Sequence, residues 1–207
     1  MKRTFIRITL VIILFTGAVI IVIGALVRHA PGRKLREAIL AELQPVALKN
    51  CTFKRFGSAN DGGYLMCENL IEPLDAGYSY GVGSNDDWAC VDIEGAEWDS
   101  LLTTPNELLA SIPQITMEMH GYDDPKIVEV LRKLNRDFFL VNLHFNNWSC
   151  TSKAAPLPAW AYQTHWVNKH IGVLDSAAPV PAPMNRLNAP DSPTWPDCQL
   201  STPRSQR

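Results

Sequence analysis

The chain has 207 residues, 46% of them hydrophobic, and a formal net charge of -2. That length suits one domain with a short appendage, and a charge so near balance excludes a basic field able to hold nucleic acid by counterion release. The five cysteines (Cys51, Cys67, Cys90, Cys150, Cys198) are scattered, odd in number and without CxxC spacing, which speaks against a closed zinc site or a complete disulfide framework and for buried or free thiols.

Residues 1–7 are a short tail. Residues 8–27 (ITLVIILFTGAVIIVIGALV) carry no charge, and about 20 apolar residues in a helix span a hydrocarbon core. Arg28, His29 and Pro31 stand where a signal peptidase would cut and fit that role poorly. The expectation is an uncleaved single-pass anchor in contact with membrane lipid. Lys2, Arg3 and Arg7 before the span nearly balance Arg28, Arg33, Lys34 and Arg36 after it. The positive-inside rule leans slightly toward a cytoplasmic C-terminal side and leaves the side of the soluble part open.

Arg33 to Leu43 has helical spacing, with Leu35, Ile39 and Leu43 on one face and Pro45 behind it. A helix over 33–45 could lie on the bilayer or cover the domain. In Cys51 to Cys67, Gly62-Gly63 after Asn60-Asp61 predicts a tight turn between two short strands. Tyr78 to Val82 reads as a strand running into Gly83, and Ala89 to Ile93 as another. Glu97 to Ala110 reads as a helix broken at Pro105, and Gln114 to Met119 as a strand. Pro125 to Leu134 is an amphipathic helix with proline in its first turn, Phe138 to Leu143 a strand, and Ala161 to Val167 a last strand. This order predicts an α/β sheet within a domain over 51–175. From 176 to 207 the chain is rich in proline and is expected to be irregular and partly disordered.

Three groups could carry chemistry. Gly81-Val82-Gly83-Ser84-Asn85-Asp86 at a strand end would let a ligand approach the backbone, although such a run is more often only a turn. Asp92-Ile93-Glu94-Gly95-Ala96-Glu97-Trp98 crowds three carboxylates at the end of another strand, either as a ligand site or as acids favoured at a helix N-terminus. Glu118 and His120 share a strand face, with His144, Asn146 and Asn147 after the next strand. They could act as a base, a ligand pair or substrate contacts, or be structural.

FGSANDGGYLMC, YSYGVGSNDDW, VDIEGAEWDSLL, ITMEMHG, LRKLNRDFFLVNLHFNNW, THWVNK and NRLNAPDSPTWPD occur in this order. Together they resemble the FkbM-type, S-adenosylmethionine-dependent methyltransferases, in particular their methyltransferase-like branch, over nearly all of the chain after Thr52. The resemblance implies a Rossmann-like sheet and methyl transfer from S-adenosylmethionine to an oxygen of a small molecule or glycan. It implies Gly81, Gly83, Asn85 and Asp92 as cofactor contacts, and Asp92, Glu94 and His120 as residues near the transferred methyl group. No resident metal is implied. A metal-assisted variant could use Asp92, Glu118 and His120.

One departure bears on all of this. Gly83 and Asp92 are nine positions apart, whereas a parallel crossover needs a dozen or more residues. Tyr78–Val82 and Ala89–Ile93 therefore cannot be parallel neighbours, and a hairpin at Asn85–Trp88 is expected instead. The missing stretch would hold the strand whose terminal acid binds the cofactor ribose. The expected fold class is thus α/β, a shortened Rossmann-like methyltransferase sheet behind one N-terminal transmembrane helix. Three readings follow: a working membrane-tethered methyltransferase, a catalytically inactive relic acting as a binding module, or an internally deleted gene product.

Overall fold

In the computed structural model, residues 32–56, 64–70, 83–85 and 88–198 are described. The expected membrane segment at 8–27 and strand at 78–82 lie outside them. Among the described residues no helix is long and apolar enough to cross a membrane. The chain divides into two compact units, Met1–Lys34 and Leu35–Arg207; nearly all of the first lies outside the described residues, and the second is an α/β body.

Helix α1 (Arg33–Glu42) buries Ile39, and Leu43 beyond it is buried too. Both join the main apolar core, so this helix covers the domain, the second of the two roles open to it. Strands β1 (Phe53–Phe56) and β2 (Tyr64–Cys67) form an antiparallel hairpin with Phe56 opposite Tyr64, as the Asn60–Gly63 turn residues predict. Strand β3 (Gly83–Asn85) pairs antiparallel with β4 (Trp88–Val91), Asn85 facing Trp88. The expected hairpin is therefore present. Of the glycine segment, Gly83–Asn85 is strand rather than a loop at a strand end.

The next elements follow their sequence signals closely. Helices α2 (Glu97–Thr103) and α3 (Asn106–Ala110) flank Pro105, whose missing N–H and restricted preceding residue end α2 at an extended Thr104. Strand β5 is Gln114–His120 and helix α4 Lys126–Asp137. In α4, Ile127, Val128, Val130, Leu131 and Leu134 are buried, the three-to-four spacing that puts one stripe on the core. Strands β6 (Phe138–Phe145) and β7 (Ala161–Asn168) complete the set.

The main sheet has the order β3-β4-β5-β7-β6. Strands β4 and β5 are parallel, while β7 runs antiparallel to both β5 and β6. Thus β4, β5 and β6 share one direction, joined by helical crossovers, and the sheet is mixed. Side chains alternate across it. Ile115, Met117, Met119, Tyr162 and Trp166 enter the main core with residues of α1, α2 and α4. The opposite face carries Gln114, Thr116, Glu118 and His120 on β5 and Gln163 and His165 on β7.

That polar face is covered by the β1–β2 hairpin and by the C-terminal segment. Gln114 exchanges hydrogen bonds with the backbone of Cys67, and the Thr116 hydroxyl lies 3.2 Å from the Leu65 carbonyl. The Gln163 amide donates to Asp191, and the Asn147 amide donates to the carbonyls of Ser192 and Trp195. The proline-rich segment is irregular, as expected, but through residue 198 it is docked on the sheet rather than disordered. Polar backbone and side-chain pairing supplies what its composition does not.

The cysteine expectation is corrected. Cys51 is bonded to Cys67 and Cys150 to Cys198, leaving Cys90 as the free thiol. Partners 16 and 48 positions apart in sequence meet because the hairpin folds back on its own approach and the tail returns to the loop after β6. Spacing along the chain cannot show either closure.

Candidate functional site

The site is built at the carboxyl ends of the parallel strands β4 and β5, the side on which open α/β sheets hold ligands. Asp92 follows β4 directly. The chain then turns sharply into α2 through Glu94 (φ 53) and Gly95 (φ 97), left-handed positions where glycine costs least and most other residues are strained. The tight turn brings Glu97, the first residue of α2, back under the end of β5. There its fully buried carboxylate accepts from the Gly95 N–H at 2.8 Å, the His120 N–H at 2.6 Å and His120 Nδ1 at 3.1 Å.

The N-cap position Ala96 has no side-chain cap hydrogen bond; Glu97, in the first turn, grips the histidine of the next strand. Gly121 (φ 108) ends β5 just after His120, its N–H donating to the Trp160 carbonyl at 2.7 Å. The Trp98 indole donates to the His120 carbonyl at 2.6 Å. The His120 ring lies 6.1 Å from that of Trp160. His120 is consequently fixed at backbone and ring together.

Its other nitrogen, Nε2, faces acids: Glu94 at 3.7 Å and Glu118 at 3.9 Å. Asp92, Glu118 and His120 each bring one potential donor atom within 4.8 Å of the others. Each is steadied from behind. The Tyr64 hydroxyl donates to Asp92 Oδ2 at 3.1 Å, the Asn146 amide to Glu118 Oε1 at 2.8 Å, and Glu97 holds His120. Asp92 Oδ1 is shut off from solvent and has no hydrogen-bond partner among the described residues.

The electrostatics follow from this crowding. Burial pushes the Glu118 carboxyl up, and the nearby Asp92 charge adds to it against the Asn146 hydrogen bond. Burial alone would lower His120, but the Glu97 hydrogen bond and the charges of Glu97, Glu118 and Glu94 outweigh it and raise the imidazole. Burial works against ionisation of Glu97 as well, yet its hydrogen bonds with His120 and the backbone hold it below the ordinary carboxylate range. Burial, then the Asp92 charge, raise the Tyr64 hydroxyl and push the Cys90 thiol up to about 11. Tyr64 is therefore a fixed donor, and Cys90 is no thiolate at neutral pH.

The sequence-predicted residues separate into three groups. Asp92, Glu94 and His120 come together, Glu94 at the exposed rim. Gly83 lies opposite Cys90 on the edge strand, near the Asp92 end, whereas Asn85 pairs with Trp88 at the far end of the β3–β4 ladder. Gly81 lies outside the described residues. His144 is buried two strands away, with Nε2 3.7 Å from Asp197, and joins the C-terminal segment rather than this corner. The sequence does not point to Tyr64, nor to the holding roles of Glu97 and Asn146. Tyr64 reaches Asp92 from 28 positions earlier in the chain, a contact without local signal. Glu97, five residues after Asp92, is visible in the sequence, but the acidic run reads there either as a ligand site or as acids at a helix N-terminus, not as a hold on His120.

Chemically, the corner can bind a hydroxyl, hold or accept its proton at His120 Nε2, or ligate a cation. Comparisons with known protein families, curated proteins and solved structures find no match for the chain.

Proposed function

We propose that this chain is a membrane-anchored protein of the FkbM methyltransferase type, whose Asp92–Glu118–His120 corner takes the hydroxyl of a small molecule or glycan. The observation that carries the reading is the convergence of these residues at the carboxyl ends of two parallel strands. The shared direction of β4, β5 and β6 supports a Rossmann-like core. His120, turned by Glu97, accepts the acceptor's proton at Nε2, as a positioned general base must. Half-exposed Trp160 beside it offers a flat face to a sugar ring.

S-adenosylmethionine would supply the electrophilic methyl group. The residues present fit it only in part: β3 runs antiparallel against β4, so no parallel strand ending in an acid adjoins β4 among the described residues. Its ribose hydroxyls thus find no carboxylate there, and we derive no step through the cofactor. The two disulfides support an oxidising compartment for the soluble part, against the slight lean of the flanking charges. Away from the cytosolic supply of the cofactor, and with no ribose strand among the described residues, a second reading gains support: a binding module for a glycan without transfer.

Isothermal titration of the full chain in detergent micelles with S-adenosylmethionine separates the two. Losing a charged hydrogen-bond partner costs roughly 1.5–3 kcal/mol, about one to two powers of ten in affinity. We expect binding in the millimolar range, abolished in Asp92→Asn. No heat at millimolar cofactor would remove the transfer reading and leave the binding module.

A further inference from the structure

We infer that Asp92, Glu118 and His120 form a binding site for one divalent first-row cation. The inference does not depend on methyl transfer: with the cation bound, His120 Nε2 is a ligand and no longer the base of the proposed function.

Three side chains of metal-ligating type, two carboxylates and one imidazole, meet with donor atoms within 4.8 Å of one another. Cations of this class sit about 2.0–2.2 Å from oxygen and nitrogen ligands, so small side-chain rotations would close these donors on one ion. Each residue has one atom committed elsewhere. Tyr64 occupies Asp92 Oδ2, Asn146 occupies Glu118 Oε1, and Glu97 occupies His120 Nδ1. What remains is one oxygen from each acid and the imidazole Nε2. A carboxylate on the far nitrogen is the usual outer partner of a metal-bound histidine, because it fixes the ring's tautomer and orientation.

A second observation points to a missing positive charge. Asp92 Oδ1 is buried without a hydrogen-bond partner among the described residues, and a buried, unsatisfied carboxylate oxygen is costly. No lysine or arginine among the described residues pairs with Asp92, Glu94 or Glu118. Among the described residues the basic group in the corner is His120, which already serves Glu97. A dication satisfies Oδ1 and offsets the crowded acids together. Three protein ligands leave coordination positions for water or an oxygen ligand, the pattern of open rather than structural sites. One imidazole with two carboxylates suits manganese, iron or zinc better than calcium.

The test titrates the chelator-treated full chain in detergent with Mn2+, following free Mn2+ by electron paramagnetic resonance. One saturable site per chain is expected. Asp92→Asn and Glu118→Gln should each weaken it at least about tenfold, while Glu107→Gln, an exposed acid elsewhere, should leave it unchanged. Pulsed measurements on the bound ion in the unaltered chain should show coupling to a single imidazole nitrogen, a result that needs no variant to fold. Absence of saturable binding, affinity unchanged in Asp92→Asn, or bound Mn2+ without nitrogen coupling would each overturn the inference.

Discussion

His165 shows what one buried side chain contributes on the polar face of the sheet. It is fully buried, its Nε2 2.9 Å from Gln114 Oε1 and its Nδ1 2.7 Å from the Thr116 hydroxyl. Gln114 Oε1 can only accept, so Nε2 carries the proton and Nδ1 accepts, the neutral imidazole. Burial pushes its pKa down to about 3, far below the unfolded value near 6.5. The unfolded chain therefore binds a proton between those values that the folded chain does not. The His165 contribution to stability is complete above pH 6.5 and lost as pH falls toward 3, at up to about 1.4 kcal/mol per pH unit. Denaturation by urea at pH 7, 6, 5 and 4 should show this slope, and His165→Gln should flatten it. Equal slopes in the two proteins would mean that His165 is not the group responsible.

At the scale of elements, helix α4 ties the functional corner to the core. It begins five residues beyond Gly121 and packs against α2, so the two helices that follow β4 and β5 brace each other behind Asp92 and His120. Leu131 and Leu134 on its inner face are fully buried. Leu131→Ala removes packed atoms and leaves a cavity, at a cost of about 2–5 kcal/mol. Arg132 beside it points outward to Glu42, and Arg132→Ala should cost no more than about 1 kcal/mol. Urea midpoints with unchanged slope measure both. A Leu131→Ala protein as stable as the parent would mean that α4 does not pack as described.

The whole molecule is closed by its disulfides and by the returning C-terminal segment. Cys150–Cys198 spans 48 positions and fastens the tail that covers Gln163, Asn142 and Asn147. A loop of that length, closed in the unfolded chain, stabilises by roughly 4 kcal/mol in the chain-entropy view. Denatured without reductant, the protein should take up iodoacetamide at Cys90 alone, read by mass spectrometry. With reductant, all five cysteines should react, and the segment after Asp175 should become sensitive to protease. Labelling at Cys51 or Cys198 without reductant would contradict these pairings.

Much of the body was written in local patterns. The helix over Arg33–Leu43, the pairing of β1 with β2, the break at Pro105 and the amphipathic stripe of α4 follow from nearest-neighbour sterics and from apolar spacing, which the sequence holds directly. The nine positions between Gly83 and Asp92 likewise excluded a crossover and left room for a hairpin, since chain length limits what strands can reach. The placement of Asp92 and His120 at one sheet end was also readable, because parallel strands joined by helices end on the same side. Tertiary structure alone decided the rest. The docking of a proline-rich tail, the cysteine pairings and the hold of Tyr64, Glu97 and Asn146 on the three corner residues depend on long-range pairing of polar groups. Such pairing has no period along the chain and becomes specific only when the sheet's polar face has to be covered.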